Sequence, residues 1–396
     1  DDPEVVKVRV LSVTWKELAR DFERSVEFDQ SQLFQKVYSN EFGMPGGEPF
    51  GVLLGDYQVR PRPSREHPVD DVEVLSAVSG VAAAAFAPWI TGAHPWLLGI
   101  DDFAALQQPL DLPAVFDQVE YVKWRAFREK EDARFVGLTL PRTLIRLPYG
   151  DDGSRIDRFV YREDVSGPDA RKYLWGNAAY AFGAVLVREF LRSRWLADIR
   201  GVRSDEETGG LVPGLPAHAF NTDRPGEAPR LSTEVVVTGA REKGLADLGF
   251  IPLCDCPDTP YSAFYSVQSV QQPRQYDSPE ATANARISAM LQYSFCVSRF
   301  AHYLKVMARD KVGGFAEPAD LENYLHRWLQ QYVTADSEAS PETKAEMPLR
   351  AASVRIREEP GRPGSYLCTA HLWPHFQLDE LATSLRITTE VTPQEA

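Results

Sequence analysis

The sequence predicts a mixed α+β fold of the α/β type, in which helices are layered on short strands. Three observations predict it. Short apolar runs rich in β-branched residues alternate with amphipathic helical runs over the first two thirds of the chain. After the polar stretch "QQPRQYDSPEATAN" (271–284), the order becomes helix–helix–β–β–α–β. The chain then closes on "ATSLRITTEV" (382–391), which alternates Leu385, Ile387, Thr389 and Val391 against Ser384, Arg386, Thr388 and Glu390. The expected division is therefore 1–272, an α/β region, and 273–396.

The elements follow in order. "VVKVRVLSV" (5–13) alternates and reads as a strand. Residues 15–43 have helical spacing, with Leu18, Phe22 and Val26 four apart, then Leu33, Val37 and Phe42, and Gly43 as a stop. Residues 50–59 read as a buried strand and 61–71 as a proline-rich connection. A helix over 71–87 ends at Pro88, and a short strand lies within 87–100. A second amphipathic helix covers 113–135. Residues 136–150 look strand-like but carry Pro141, which suggests an edge or broken strand. A long apolar helix covers 173–195, "STEVVVT" (232–238) reads as a strand, and 241–256 as a short helix followed by a strand.

In the last section, Ile287, Leu291, Val297, Phe300, Leu304 and Met307 form one broad helical stripe within 285–310. Leu321, Tyr324, Leu325, Trp328, Leu329 and Tyr332 repeat it, with Asp320 at the helix start where a carboxylate suits the dipole. Strands follow at 352–358 and 365–373, then a short helix over 374–381 and the terminal strand. That strand needs a hydrogen-bonding neighbour. On periodicity alone it folds back beside 352–358 in its own domain, since sequential strands often neighbour each other.

Composition narrows the function classes. With 43% apolar and 25% charged residues the chain is an ordinary globular protein, and 396 residues allow about two or three domains. The net charge of −14 argues against nucleic acid or an anionic membrane as the main partner. No apolar run approaches the ~20 residues of a membrane span, so no membrane insertion is expected. Four cysteines in so long a chain are no disulfide framework, which suits a reducing compartment.

The search for chemistry gives no catalytic, metal or cofactor residue. "EFGMPGGEPFG" (41–51) lacks the Lys-Ser/Thr pair of a phosphate loop and reads as a turn. Cys254 and Cys256 are too close together for the usual zinc pair, and Cys296 and Cys368 read as buried thiols. His371 and His375 are separated by Pro374, while His302 and His326 read as packed or surface histidines. Glu48, Asp56 and Asp101 sit near strand ends without any sign that they converge. No nucleophile elbow is present. The rival reading, an α/β enzyme, needs such a site.

Five long stretches together resemble one family. They are 15–51, 121–150, "KYLWGNAAYAF" (172–182), "DLGFIPL" (247–253) and "ATANARISAMLQYSFCVSRFAHYLKVMARDKVG" (281–313). The family is the large subunit of the type VI secretion contractile sheath, the TssC or VipB family, and the resemblance runs the whole length. It implies a contractile tail-sheath-like subunit: a middle domain over 1–272, intertwined with the small sheath subunit (TssB/VipA type), and an inner domain over 273–396 around the tube. A sheath subunit of a related contractile injection or phage-tail-like system is the near alternative.

The resemblance also implies partners and sites. The partners are the small sheath subunit, neighbouring copies of the chain, an inner tube protein (Hcp type), a baseplate and a recycling ATPase (ClpV type), all in the bacterial cytoplasm and without a cofactor. Members carry on the order of a hundred further residues before "VVKVRVLSV", close to a domain's worth, where the ATPase engages. The terminal strand, Thr383, Ser384, Leu385, Arg386, Ile387, Thr388, Thr389, Glu390 and Val391, is expected to pair with a sheet in an adjacent subunit. An alternating strand with one apolar face is an association hazard unless it is used. Glu338, Glu342, Lys344 and Glu346, in the acidic run 336–346, are the candidate tube-facing residues. The glutamates at i, i+4, i+8 line one face if the helix starts early enough, which Pro341 delays; a solvated face is the alternative.

Overall fold

The computed structural model describes residues 6–25, 27–42, 46–150, 161–167, 169–202, 207–219, 230–256, 259–311, 318–336, 338–358, 366–375 and 385–391, the last as backbone. Helix α1 (Trp15–Arg24) opens with a capping box: the Thr14 hydroxyl accepts from Glu17 N–H, and Glu17 accepts from Thr14 N–H. A second helical run, α2, joins Gln32–Phe34, a π-turn at Gln35–Ser39 and Asn40–Phe42. Strand β1 (Leu53–Val59), helix α3 (Asp71–Ala84) and strand β2 (Trp89–Ala93) follow. Then come α4 (Val122–Arg128), β3 (Val136–Leu140), α5 (Ala179–Ser193), α6 (Gly239–Asp247) and the short β4 (Ile251–Pro252).

The four strands form a parallel sheet in the order β1-β2-β3-β4. Strands β2 and β3 are buried along their whole length, as parallel strands covered on both faces must be. Alternation sorts their side chains. Trp89, Ala93, Val136, Leu138 and Leu140 join Leu18, Val78, Trp124 and Phe127 in one core. Ile90 and Ile251 join Phe182, Val185, Leu291 and Phe295 in a second. Gly137 lies where strands and helix meet: a Cβ there would stand 2.6 Å from Leu291 Cδ1 and 2.8 Å from Ile90 Cδ1.

The last section holds α7 (Pro279–Ser288), α8 (Leu291–Lys311), α9 (Pro318–Gln330) and α10 (Pro341–Glu346). Strands β5 (Leu349–Glu358), β6 (Tyr366–Pro374) and β7 (Leu385–Val391) form an antiparallel sheet in that order. A third core joins Phe300, Leu304, Leu321, Leu325, Leu329, Val354, Cys368 and Leu372, and includes Trp195. Trp195 stacks on Phe300 with centroids 3.9 Å apart. Helix α8 spans about 30 Å and gives its first turn to the parallel sheet's core and its later turns to the third. The division at 272 is thus crossed by packing.

Several expectations are corrected. Residues 6–13 form no strand, and residue 5 lies outside the described residues. Strand 50–59 is shorter and is an edge, not buried. The 136–150 segment is the reverse case: β3 is central and ends at Leu140, so Pro141 closes the strand without entering it. Residues 232–238 make only a bridge, Thr143 with Thr233, although Val235 and Val237 are buried. The 15–43 and 113–135 helices are broken into short pieces, and Gly43 is outside the described residues. The 285–310 helix breaks at Ala289–Met290, where Met290 bridges Gln268. The helix expected at 173 starts at Ala179, after Trp175–Gly176 pairs with Thr143–Leu144. Of the helix expected over 374–381, Pro374 instead ends β6 and His375 follows as a bend, and 376–381 lie outside the described residues.

Candidate assembly surfaces

The C-terminal sheet is built so that one edge takes the terminal strand. Strands β5 and β6 pair from Ala351↔Trp373 to Glu358↔Tyr366. The outer edge of β5 is met by α9: the Ile356 N–H donates to Glu322 Oε2 at 2.8 Å, and Gln330 Nε2 donates to Ala352 O at 3.1 Å. The outer edge of β6 takes β7, with Leu372↔Leu385, Ala370↔Ile387, Cys368↔Thr389 and Tyr366↔Val391. In this single chain the strand therefore returns to its own domain, but beside β6 and not beside 352–358. Thr383 and Ser384 lie outside the described residues.

The acidic segment places its residues unevenly. Ser340 caps α10, its hydroxyl accepting from Thr343 N–H, and Pro341 occupies the first turn. Glu338 therefore precedes the helix, where its N–H donates to Asp336 Oδ1 at 2.9 Å. Glu342 and Glu346 are exposed on α10, Lys344 is half-buried, and Ala345 packs inward.

A surface that sequence reasoning missed lies at the other end of the chain. Residues 7–14 are exposed, with Val8 at 77% and Val10 at 87%. The segment is held by one side only. Lys7 Nζ lies 2.5 Å from Glu48 Oε1 and holds that carboxyl below the usual range. Arg9 pairs with Glu41 and sits over the Phe50 ring, 5.0 Å from its centroid. Val13 O accepts from Tyr57 Oη at 2.6 Å. The segment thus follows residues 48–57 in parallel, next to β1, whose only strand partner among the described residues is β2. On β1, Leu54 is exposed and packs against Gly183 of α5. Helix α5 turns outward Tyr180, Val187 and Leu191, at i, i+7 and i+11 on one face. The available signal was that 178–187 carries no charged residue on any face, more apolar surface than one buried stripe requires.

The residues considered for chemistry do not come together. Cys254, Cys296 and Cys368 are buried free thiols, each pushed up by burial, and Cys256 is half-buried. Buried His302 donates from Nε2 to Ala85 O at 2.9 Å, and burial pushes it down to about 3. His371 lies within β6, while His375, just beyond it, bonds Thr334 O at 2.7 Å. Glu48 is tied to Lys7, and Asp56 lies beside the Tyr180 hydroxyl. Among the described residues no group of three or more His, Cys, Asp or Glu could hold a metal ion. No described helix is long and apolar enough to cross a membrane.

Fold and surface together define a class: a mixed α/β protein with exposed apolar side chains beside the edge strand of its parallel sheet. The comparisons give the particular family. The family described as EvpB/VC_A0108, tail sheath N-terminal domain (VipB), matches residues 1–271, and the EvpB/VC_A0108 tail sheath gpW/gp25-like domain matches 280–391. The type VI secretion system sheath protein TssC1 of Pseudomonas aeruginosa strain PAO1 is 42% identical over 391 residues, 98% of this chain and 76% of that protein. The chain belongs to this family and is a large subunit of a type VI secretion sheath. A sheath tail protein of Desulfitobacterium hafniense aligns structurally over 81% of this chain and 60% of its own, at TM-score 0.35 and 10% identity, too distant to carry an argument.

Proposed function

We propose that this sheath subunit assembles with the small sheath subunit, in the bacterial cytoplasm, into a helical cylinder around an inner tube, and that contraction of the cylinder drives the tube outward. Heterologous contacts with a rotation that does not close generate such a helix. The work is mechanical: the extended lattice is metastable, and contraction releases energy stored at assembly without catalysis by this chain. Residues 1–272 form the middle domain and 273–396 the domain nearest the tube.

The observation that carries the reading is the slot on β6. A strand that closes its own domain can close the same slot in a neighbour, since exchange of an identical element costs little. In the cylinder, Thr383 to Val391 of one copy fill the β6 edge of the next. Main-chain bonds then hold the copies together while the flanks hinge. Glu342 and Glu346, with Glu338 and Lys344 at the margin, face a basic tube surface. A baseplate anchors one end of the cylinder, and a recycling ATPase engages through parts that precede the matched region in longer family members.

The test is co-expression with the small subunit followed by electron microscopy. Long hollow cylinders are expected, and monodisperse single particles overturn the reading. Deleting 382–396 is expected to abolish cylinders while the one-to-one complex persists; normal assembly and contraction of the truncated chain would rule out strand donation.

A further inference from the structure

We infer that Arg128, in the last turn of α4, anchors an oxyanion site: the free end of its guanidinium takes one carboxylate, or one small oxyanion such as phosphate, supplied from outside this chain. The inference goes beyond the assembly reading and does not depend on it.

Arg128 is 5% exposed and is held from two sides. Its Nε donates to Val270 O at 2.9 Å, and its own carbonyl accepts from Gln272 N–H at 2.8 Å. The segment 270–272 thus crosses the end of α4 and fixes the guanidinium in place. Among the described residues, Nη1 and Nη2 meet no acceptor. The side chain is already ordered, so taking up a ligand costs it little further freedom.

Other buried charges in this chain are matched. Glu41 has Arg9, Asp71 has His67, Glu189 and Asp198 share Arg192, and Glu234 has Arg142. Arg128 has no such partner among the described residues. Burial alone lowers its pKa, to about 10, and no acid opposes the shift. The acids that follow it in sequence are engaged elsewhere: Glu131 pairs with Arg134, and Asp132 lies near Lys130 and Arg134. Val270 O and the carbonyls of the helix end offer only partial charges. A buried charge left unpaired is costly, and a hydrogen-bonded counter-charge removes that cost.

The chemistry of the spot selects its ligand. Two N–H groups at the end of a planar fork match two oxygens of a carboxylate or of a phosphate-type anion. One turn earlier on the same helix face, the buried Trp124 Nε1–H also lacks an acceptor. The spot is therefore rich in donors and poor in acceptors. That excludes a cation, and a neutral ligand would leave the charge uncompensated. Gln272, which bonds the Arg128 carbonyl, is exposed, so the site lies close to the surface. The occupant arrives either as a free ion or on the side chain of an adjoining chain, and the two sources are separable.

The test uses the chain in complex with the small sheath subunit, melted in chloride buffer while inorganic phosphate is titrated at constant ionic strength. A free-ion site gives the wild type a saturable rise in Tm of about 2 °C or more. Arg65→Gln, at an exposed arginine elsewhere, is expected to keep that rise, and Arg128→Met to lose it. A site filled by an adjoining carboxylate gives no phosphate response in either chain. Arg128→Met then melts at least about 4 °C lower, because the adjoining acid loses its partner. In that case a crystal or electron-microscopy map of the wild-type complex must also show an Asp or Glu of an adjoining chain within about 3.2 Å of Nη1 or Nη2. The inference is overturned if phosphate raises wild type and Arg128→Met equally. It is also overturned if neither responds and Arg128→Met melts within about 4 °C of wild type, or if the map shows the fork empty or turned to an acid of its own chain. Should Arg128→Met not fold, the map alone decides: an oxyanion or an adjoining carboxylate on the fork upholds the site, and an empty fork ends it.

Discussion

Asp71 shows how one buried residue ties the first helix to the sheet. It is 1% exposed, yet its Oδ1 accepts from Trp15 Nε1 at 2.6 Å and lies 2.5 Å from His67 Nε2, while Oδ2 accepts from Arg60 N–H at 2.9 Å. Asp71→Ala leaves the buried Trp15 indole N–H and the half-buried Arg60 N–H without their acceptor, and is expected to destabilise the complex by about 3 kcal/mol in urea unfolding. His302 gives a pH dependence. Burial, with Arg299 alongside, lowers its pKa to about 3, so the unfolded chain binds a proton that the folded one refuses. The contribution is therefore complete above the unfolded pKa of about 6.5 and is lost as pH falls from there toward 3. From pH 7 to pH 5 this amounts to about 2 kcal/mol. His302→Gln is expected to flatten that slope in denaturation curves taken at the two values, whatever it does to stability at pH 7. The sequence marked His302 as a packed or surface histidine; burial and the Ala85 carbonyl, 217 positions away, were decided by packing.

At the scale of elements, periodicity served where one face decides. Helix α3 and strand β2 lie within the stretches whose spacing marked them, and α8, α9, β5 and β6 overlap theirs with displaced ends. It failed where neighbours decide. Residues 6–13 and 232–238 carry strand patterns but no ladder in this chain, because a strand exists only with a partner in register. Pro141 misled in the opposite sense: it sits one residue past a central strand, a distinction that only the pairing of β3 with β2 and β4 reveals. Gly137 in that strand tests the packing between sheet and α8. Gly137→Ala sets a methyl group against Leu291, Ile251 and Ile90, and is expected to cost about 1–3 kcal/mol by overpacking. Thermal unfolding of the complex checks it, with Gly239→Ala, where a Cβ meets nothing within 4 Å, as the control. Pro341 behaves as its residue type requires: it starts α10 and leaves Glu338 ahead of the helix.

At the scale of the whole molecule, the predictions concern assembly. Helix α8 belongs to two cores, so the chain should move as a nearly rigid unit, with compliance concentrated where the terminal strand leaves it. Inserting a few residues before Leu381 is expected to preserve cylinders yet impair contraction, because a longer link no longer transmits motion between copies; cylinders of mixed length and contracted fraction in electron micrographs measure it. Glu342→Lys with Glu346→Lys is expected to weaken tube engagement while leaving empty sheaths intact, read as the ratio of filled to empty cylinders.

By itself the sequence determined the helical stripes, the main strands, the mixed α/β class and the family, because these rest on local spacing and on long runs of matched residues. Only the tertiary structure decided which edge receives the terminal strand, that β3 is central, and that the valines of 6–13 face outward. Those are statements about neighbours, and periodicity records that a residue has an apolar side without recording what lies against it.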